Sequence, residues 1–106
     1  MFQGMGAKTD VLNHDFHFCT EEVNHLFLSH AHIDHSGLTS KLVKEGFSGR
    51  IFCTTATKDL TEILLNDSAE IQMQEAHFVN KKRSVAIEEA VPLYTVEDVS
   101  KAMELF

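Results

Sequence analysis

The spacing of apolar positions changes several times along the chain. Leu26, Phe27 and Leu28 form a short continuous apolar run, the pattern of a strand buried on both faces, and predict a strand over 23–29. Leu38, Leu42 and Val43 then recur at helical spacing and Gly46 is a stop signal, which predicts a helix over 37–46. Phe47 to Gly49 make a turn, and Ile51, Phe52 and Cys53 read as a second buried strand over 50–54. Strand, helix and strand in that order give a βαβ unit with a parallel strand pair. Thr54, Thr55 and Thr57 are cap candidates for the next helix, whose apolar face is Leu60, Ile63, Leu64 and Ile71.

No glycine or proline interrupts Ala56 to Arg83, so one helix is expected over most of 56–80. At 1.5 Å per residue, the whole uninterrupted stretch would be about 40 Å long. That exceeds what a compact domain of this size covers easily. The helix is therefore expected either to break near Asn66 to Ser68 or to pack its far half on something the chain lacks. On that half Met73 and Phe78 read as packing residues and His77 as exposed. Ser84 to Leu93 is a connection containing the sole proline, Pro92. Thr95 with Asp98 resembles a capping box and opens a last helix over 95–105, with Val99, Met103 and Phe106 on its apolar side.

Met1 to Thr20 is polar, carries Gly4 and Gly6, and has no clear periodicity. Residues 1–22 are read as an irregular segment in which Thr20, followed by two glutamates, caps one short turn. Residues 23–106 form the βαβα core and the C-terminal helix of one α/β unit. A chain of 106 residues suits a single domain, and 43% hydrophobic content is enough for a core. No apolar run approaches the ~18 residues of a membrane span, and no basic and apolar leader opens the chain, so a soluble cytoplasmic protein is expected. Cys19 and Cys53 lack paired metal spacing and read as reduced, structural thiols, with a disulfide as the lesser alternative. The formal charge of −7 argues against this piece wrapping nucleic acid by itself. The basic run Lys81, Lys82 and Arg83 is too short for an RNA-binding patch and reads as a solvated helix end.

The chemistry concentrates in Ser29 to Gly37, SHAHIDHSG. His30, His32, Asp34 and His35 stand within six residues, a density that a chance cluster of solvated side chains explains poorly. Residues two apart on an extended segment point the same way, so His30 and His32 can grip one ion together. Asp34 and His35 lie past that point, where the chain turns, and can face a second ion. Imidazole nitrogen with carboxylate oxygen suits zinc, and manganese or iron less well. The segment is placed in a loop between a core strand and a helix, where open α/β sheets bind ligands. His14, His17 and His25 have no close spacing to it and read as ordinary solvated or packed histidines. A hydrolytic zinc usually has three protein ligands, and this segment offers two for each ion.

His30-Ala31-His32-Ile33-Asp34-His35 resembles the HxHxDH signature of the metallo-β-lactamase fold. SHAHIDHSG is similar to the form found in its β-CASP nuclease branch. Phe2-Gln3-Gly4, ATKDLTEILLNDSAEIQ and PLYTVEDVSKAMELF extend the resemblance to nearly the whole chain. The resemblance implies a partial metallo-β-lactamase (αββα) fold and metal-assisted phosphodiester hydrolysis in RNA processing, with RNA as substrate. It implies two Zn2+ ions, with Mn2+ as the substitute: His30 and His32 on the first, Asp34 and His35 on the second. Asp34 would also be catalytic, orienting the attacking hydroxide. Members of that family supply a later histidine, a bridging aspartate and a final histidine from regions beyond Phe106. The chain is therefore expected to be an internal fragment, or a truncated gene product, of a larger enzyme and inactive alone. Its uncovered sheet edges would favour self-association. No specific protein partner is indicated. Two rival readings stay open: hydrolysis of a small thioester or lactone, and a non-catalytic metal-binding module.

Overall fold

Two three-residue strands, β1 (His25–Phe27) and β2 (Arg50–Phe52), pair in parallel with Leu26 opposite Ile51. The computed structural model describes residues 1–4, 6–82 and 91–106. Around the strands lie α1 (Ala7–His14), a 3-10 turn at Thr20–Glu22, α2 (Ile33–Ser36), α3 (Thr39–Lys44), α4 (Thr55–Lys82) and α5 (Val96–Met103). The order β1, α2–α3, β2, α4 is the expected βαβα unit, with each strand shorter than the range expected for it.

The expectation that both strand faces are buried fails. Side chains alternate across a strand, and Leu26 and Ile51 share the inner face. There they join a cluster of Leu42, Phe47 and Ile51, flanked by Phe16, Val23, Leu105 and Phe106. Phe27 and Phe52 share the other face and are 76% and 46% exposed, their rings stacked 5.2 Å apart. No described residue covers that face, so a continuous apolar run here marks a half-covered strand. Cys53 falls just beyond β2, not inside it; both cysteines are free thiols.

The helix expected over 37–46 is divided. Leu38 leaves helical geometry at φ −103° and ψ 8°, separating α2 from α3. Gly46 ends α3 with φ +113°, a conformation glycine adopts at little cost, and its amide reaches the Val43 carbonyl at 3.1 Å. Gly49 allows another close approach: a Cβ there would stand 2.0 Å from the Asn24 carbonyl oxygen.

No break occurs at Asn66 to Ser68, and α4 runs for 28 residues. Thr54 caps it, its Oγ1 accepting from the Thr57 amide at 3.2 Å. One face of α4 carries buried Thr61, Leu65 and Ala69. Leu65 and Ala69 join Tyr94 and Val99 in a second cluster, against which Ile33, Leu93, Val96 and Met103 pack. The eight residues of α5 reach along only part of α4, and several apolar residues of its far half are exposed. Met73 and Phe78, read from sequence as packing residues, are 39% and 58% exposed. His77 is exposed, as expected. The capping box opening α5 is present, with the Thr95 amide donating to Asp98 Oδ2 at 2.8 Å.

Two N-terminal expectations are corrected. Residues 7–14 form a helix where an irregular segment was expected. Its weak amphipathicity hides it in the sequence, and tertiary bonds hold it: Asn13 Oδ1 accepts from the Phe2 amide at 2.8 Å, and Asn13 Nδ2 donates to the Phe2 carbonyl at 3.0 Å. Thr20 caps nothing; its hydroxyl donates to the Glu45 carbonyl at the end of α3. Of the basic run, Lys81 is exposed on the last turn of α4 and Arg83 lies outside the described residues, as does most of the Ser84 to Leu93 connection. Among the described residues no helix is long and apolar enough to cross a membrane.

Candidate metal centre

The parallel ladder continues one bond past β1, with the Leu28 amide donating to the Phe52 carbonyl at 2.9 Å. Leu28 and Ala31 are then buried, while His30 is half-buried and His32 exposed. An apolar residue anchored between two histidines leaves both imidazoles on the outer side of the loop. His32 is the N-cap residue of α2, and its carbonyl accepts from the His35 and Ser36 amides at 2.9 and 2.8 Å. Asp34 and His35 therefore sit on the first turn of a helix, not in an open loop. Ile33, between them and His32, is anchored in the Leu65–Tyr94 cluster.

This arrangement brings His30, Asp34 and His35 together. One ligand atom from each lies within 4.8 Å of the others. The His30 and His35 rings are 3.9 Å apart, and His35 Nε2 stands 3.5 Å from Asp34 Oδ2. His32 is outside the three-donor group, its ring meeting that of His30 edge-on at 5.0 Å. The donors nearest one another are thus His30, Asp34 and His35, whereas the division expected from sequence sets His30 with His32 and Asp34 with His35. Alternation applies to extended chain, and the chain leaves that state at His32, so the first turn of α2 folds back toward His30.

Two imidazoles and a carboxylate make a donor set matched to zinc and acceptable to manganese. Metal–ligand bonds of about 2.0–2.2 Å place donors on one ion no more than about 4.4 Å apart. The observed spread, within 4.8 Å, is close to that limit. The remaining N-terminal histidines are engaged elsewhere. His14 Nδ1 meets the Asp10 carbonyl at 2.6 Å, His17 meets Asp15 at 3.5 Å, and His25 lies against the Phe52 ring at 5.8 Å. Ser36, which the sequence did not single out, is fully buried beneath the loop, its Oγ donating to the Ala31 carbonyl at 2.7 Å. No sequence signal distinguishes such a serine from a solvated one; its burial is tertiary.

No family model matches the chain. It is 43% identical over 79 residues to Ribonuclease TTHA0252 of Thermus thermophilus, a match covering 74% of this chain and 17% of that protein. It is 33% identical over 93 residues to Transcription termination factor FttA of Methanococcus maripaludis, covering 83% of this chain and 15% of that protein. With Cleavage and polyadenylation specificity factor 73 of Drosophila melanogaster it shares 35% identity over 85 residues, 79% of this chain and 10% of that protein. The chain thus spans about a sixth of the length of these relatives, or less. Relatives of this kind, matched across the segment that carries His30, His32, Asp34 and His35, place the chain in the β-CASP branch of the metallo-β-lactamase-fold hydrolases.

Proposed function

We propose that the protein to which this segment belongs is a metal-dependent nuclease that hydrolyses RNA phosphodiester bonds, and that His30, His32, Asp34 and His35 are its first metal ligands. The observation that carries the proposal is the convergence of His30, Asp34 and His35 on the turn after β1. The names of the relatives, a ribonuclease and a cleavage factor among them, support RNA as the substrate. On this reading the βαβα unit is part of an αββα metallo-β-lactamase fold, the ions are zinc or manganese, and the protein works in the cytoplasm.

Divalent metal, when bound, supplies Lewis acidity toward a phosphate and lowers the pKa of water toward neutrality. His30, His32, Asp34 and His35 would hold the metal, with His30, Asp34 and His35 already converging on one another. A carboxylate oxygen accepts hydrogen bonds, so an Asp34 oxygen not used in ligation would take one from the attacking water and orient it. The helical first turn keeps Asp34 and His35 in fixed relation to each other.

Four donors leave two ions short of the three protein ligands each that hydrolytic zinc sites use. Misplacement of reacting groups by ~1 Å can cost ~100-fold in rate. The 106-residue chain alone is therefore proposed to bind metal weakly and to turn over poorly. The test uses labelled RNA with zinc or manganese, on this chain and on a longer protein containing it. The longer protein should cleave, and His30→Ala or Asp34→Ala should lower its rate at least ~100-fold. Cleavage undiminished by either substitution would refute the assignment. Robust cleavage by the short chain, abolished in Asp34→Ala, would show that these ligands suffice.

A further inference from the structure

Beneath the exposed donors the loop is closed by one buried hydroxyl. Ser36 is 0% exposed, and its Oγ donates to the Ala31 carbonyl at 2.7 Å, with the His32 carbonyl at 3.2 Å as a weaker second acceptor. A serine hydroxyl carries one proton, so the shorter contact holds it. Ala31 is 4% exposed, and no other hydrogen bond to its carbonyl is seen among the described residues. That carbonyl belongs to the peptide unit joining the two motif histidines' shared neighbour to His32. Its orientation is coupled to the backbone angles on either side, and those angles aim the His30 and His32 imidazoles. Ser36 also lies on the helical turn that carries Asp34 and His35. It therefore ties the two halves of the donor set together while touching none of the donor atoms.

We infer that Ser36 is a positioning residue for the metal-binding loop: its buried hydroxyl fixes the Ala31 carbonyl and thereby the convergence of His30 with Asp34 and His35. The inference rests on the metal-binding reading above. Groups that orient metal ligands from behind typically change affinity 10–100-fold when removed. Ser36→Ala deletes only the oxygen, leaving the helix turn and nearly all the packing, so the effect should appear in ligation before it appears in folding.

The test is calorimetric titration of zinc into the metal-free 106-residue chain and its Ser36→Ala, Ser36→Thr and His30→Ala variants. Circular dichroism checks the fold, and cobalt substitution gives a visible spectrum sensitive to ligand geometry. Ser36→Ala should bind about 10-fold more weakly with an unchanged circular dichroism spectrum and an altered cobalt band. Ser36→Thr, which keeps the hydroxyl, should recover most of that loss. Wild-type affinity in Ser36→Ala, with binding lost in His30→Ala, would overturn the role of Ser36 and leave the metal assignment standing. A loss in Ser36→Ala that Ser36→Thr does not recover would assign the effect to packing and likewise overturn it. Unchanged binding in His30→Ala would remove the metal assignment itself, and the inference with it.

Discussion

Tyr94 should make the fold sensitive to alkali, and replacing it with phenylalanine should remove that sensitivity. The side chain is fully buried among Leu65, Ala69 and Val99, the cluster on which Ile33 of the metal loop rests. Its hydroxyl donates to Ser68 Oγ at 2.9 Å. Ser68 Oγ also receives Gln72 Nε2 at 3.0 Å, and Gln72 Oε1 accepts the Leu93 amide at 2.9 Å. Tyr94→Phe therefore orphans no buried acceptor, and at neutral pH it should cost only the net value of one hydrogen bond, about 0.5–1.5 kcal/mol. For a domain near this size, each kcal/mol corresponds to about 4–8 °C in Tm.

At high pH the sign reverses. Burial pushes the Tyr94 phenol above its ordinary range, against smaller lowering contributions from Ser68 and Gln72. The folded state then holds a proton that the unfolded chain releases near pH ~10. Stability from this group is whole below that pH and is lost as pH rises toward the folded value, at ~1.4 kcal/mol per pH unit. Tyr94→Phe has no such loss, so its deficit should shrink and then invert. The chain has one tyrosine and no tryptophan, so phenolate absorbance reports Tyr94 alone. Cys53, whose thiol is also raised by burial, acts in the same direction at lower pH and is removed in a Cys53→Ala background. Urea titrations at several pH values, with absorbance and circular dichroism recorded together, supply the measurement. Parallel stability curves for the two proteins, or phenolate appearing at the ordinary tyrosine pH while the fold stays native, would refute the reasoning.

Leu65→Ala, at a fully buried position, should destabilise by about 2–5 kcal/mol in urea unfolding and weaken zinc binding, because Ile33 loses its support. Thr95→Ala removes the cap of α5 and should cost about 0.5–2 kcal/mol, whereas an exposed serine such as Ser100 should tolerate alanine within ~0.5 kcal/mol. Ile63 and Ile71, 66% and 47% exposed on α4, should drive self-association. The Ile63→Lys/Ile71→Lys double variant should sediment as a monomer at concentrations where wild type associates, and equal sedimentation would count against this surface. Zinc affinity should fall as the solution is acidified, since ligating imidazoles must be neutral, and a pH-independent calorimetric constant would contradict histidine ligation.

The elements most legible in the sequence are those set by near neighbours along the chain. The apolar runs at Leu26 and Ile51 specify a parallel pair, Gly46 stops a helix, and Thr54 and Thr95 cap two others through bonds spanning three residues. The four candidate donors are equally visible as residue types in one segment. What the sequence leaves undecided depends on contacts between distant residues. α1 has almost no periodicity and is held by Asn13 against Phe2, eleven positions away. The unbroken course of α4 was written in its lack of breakers, yet its length left either a break or an outside packing partner open; the structure shows no break, with Ile71, Met73 and Phe78 exposed on the far half. Which donors meet is likewise tertiary. Burial of Ala31 and Ser36 and the anchoring of Ile33 turn the chain at His32 and set His30 beside His35, a proximity that residue spacing by itself does not reveal.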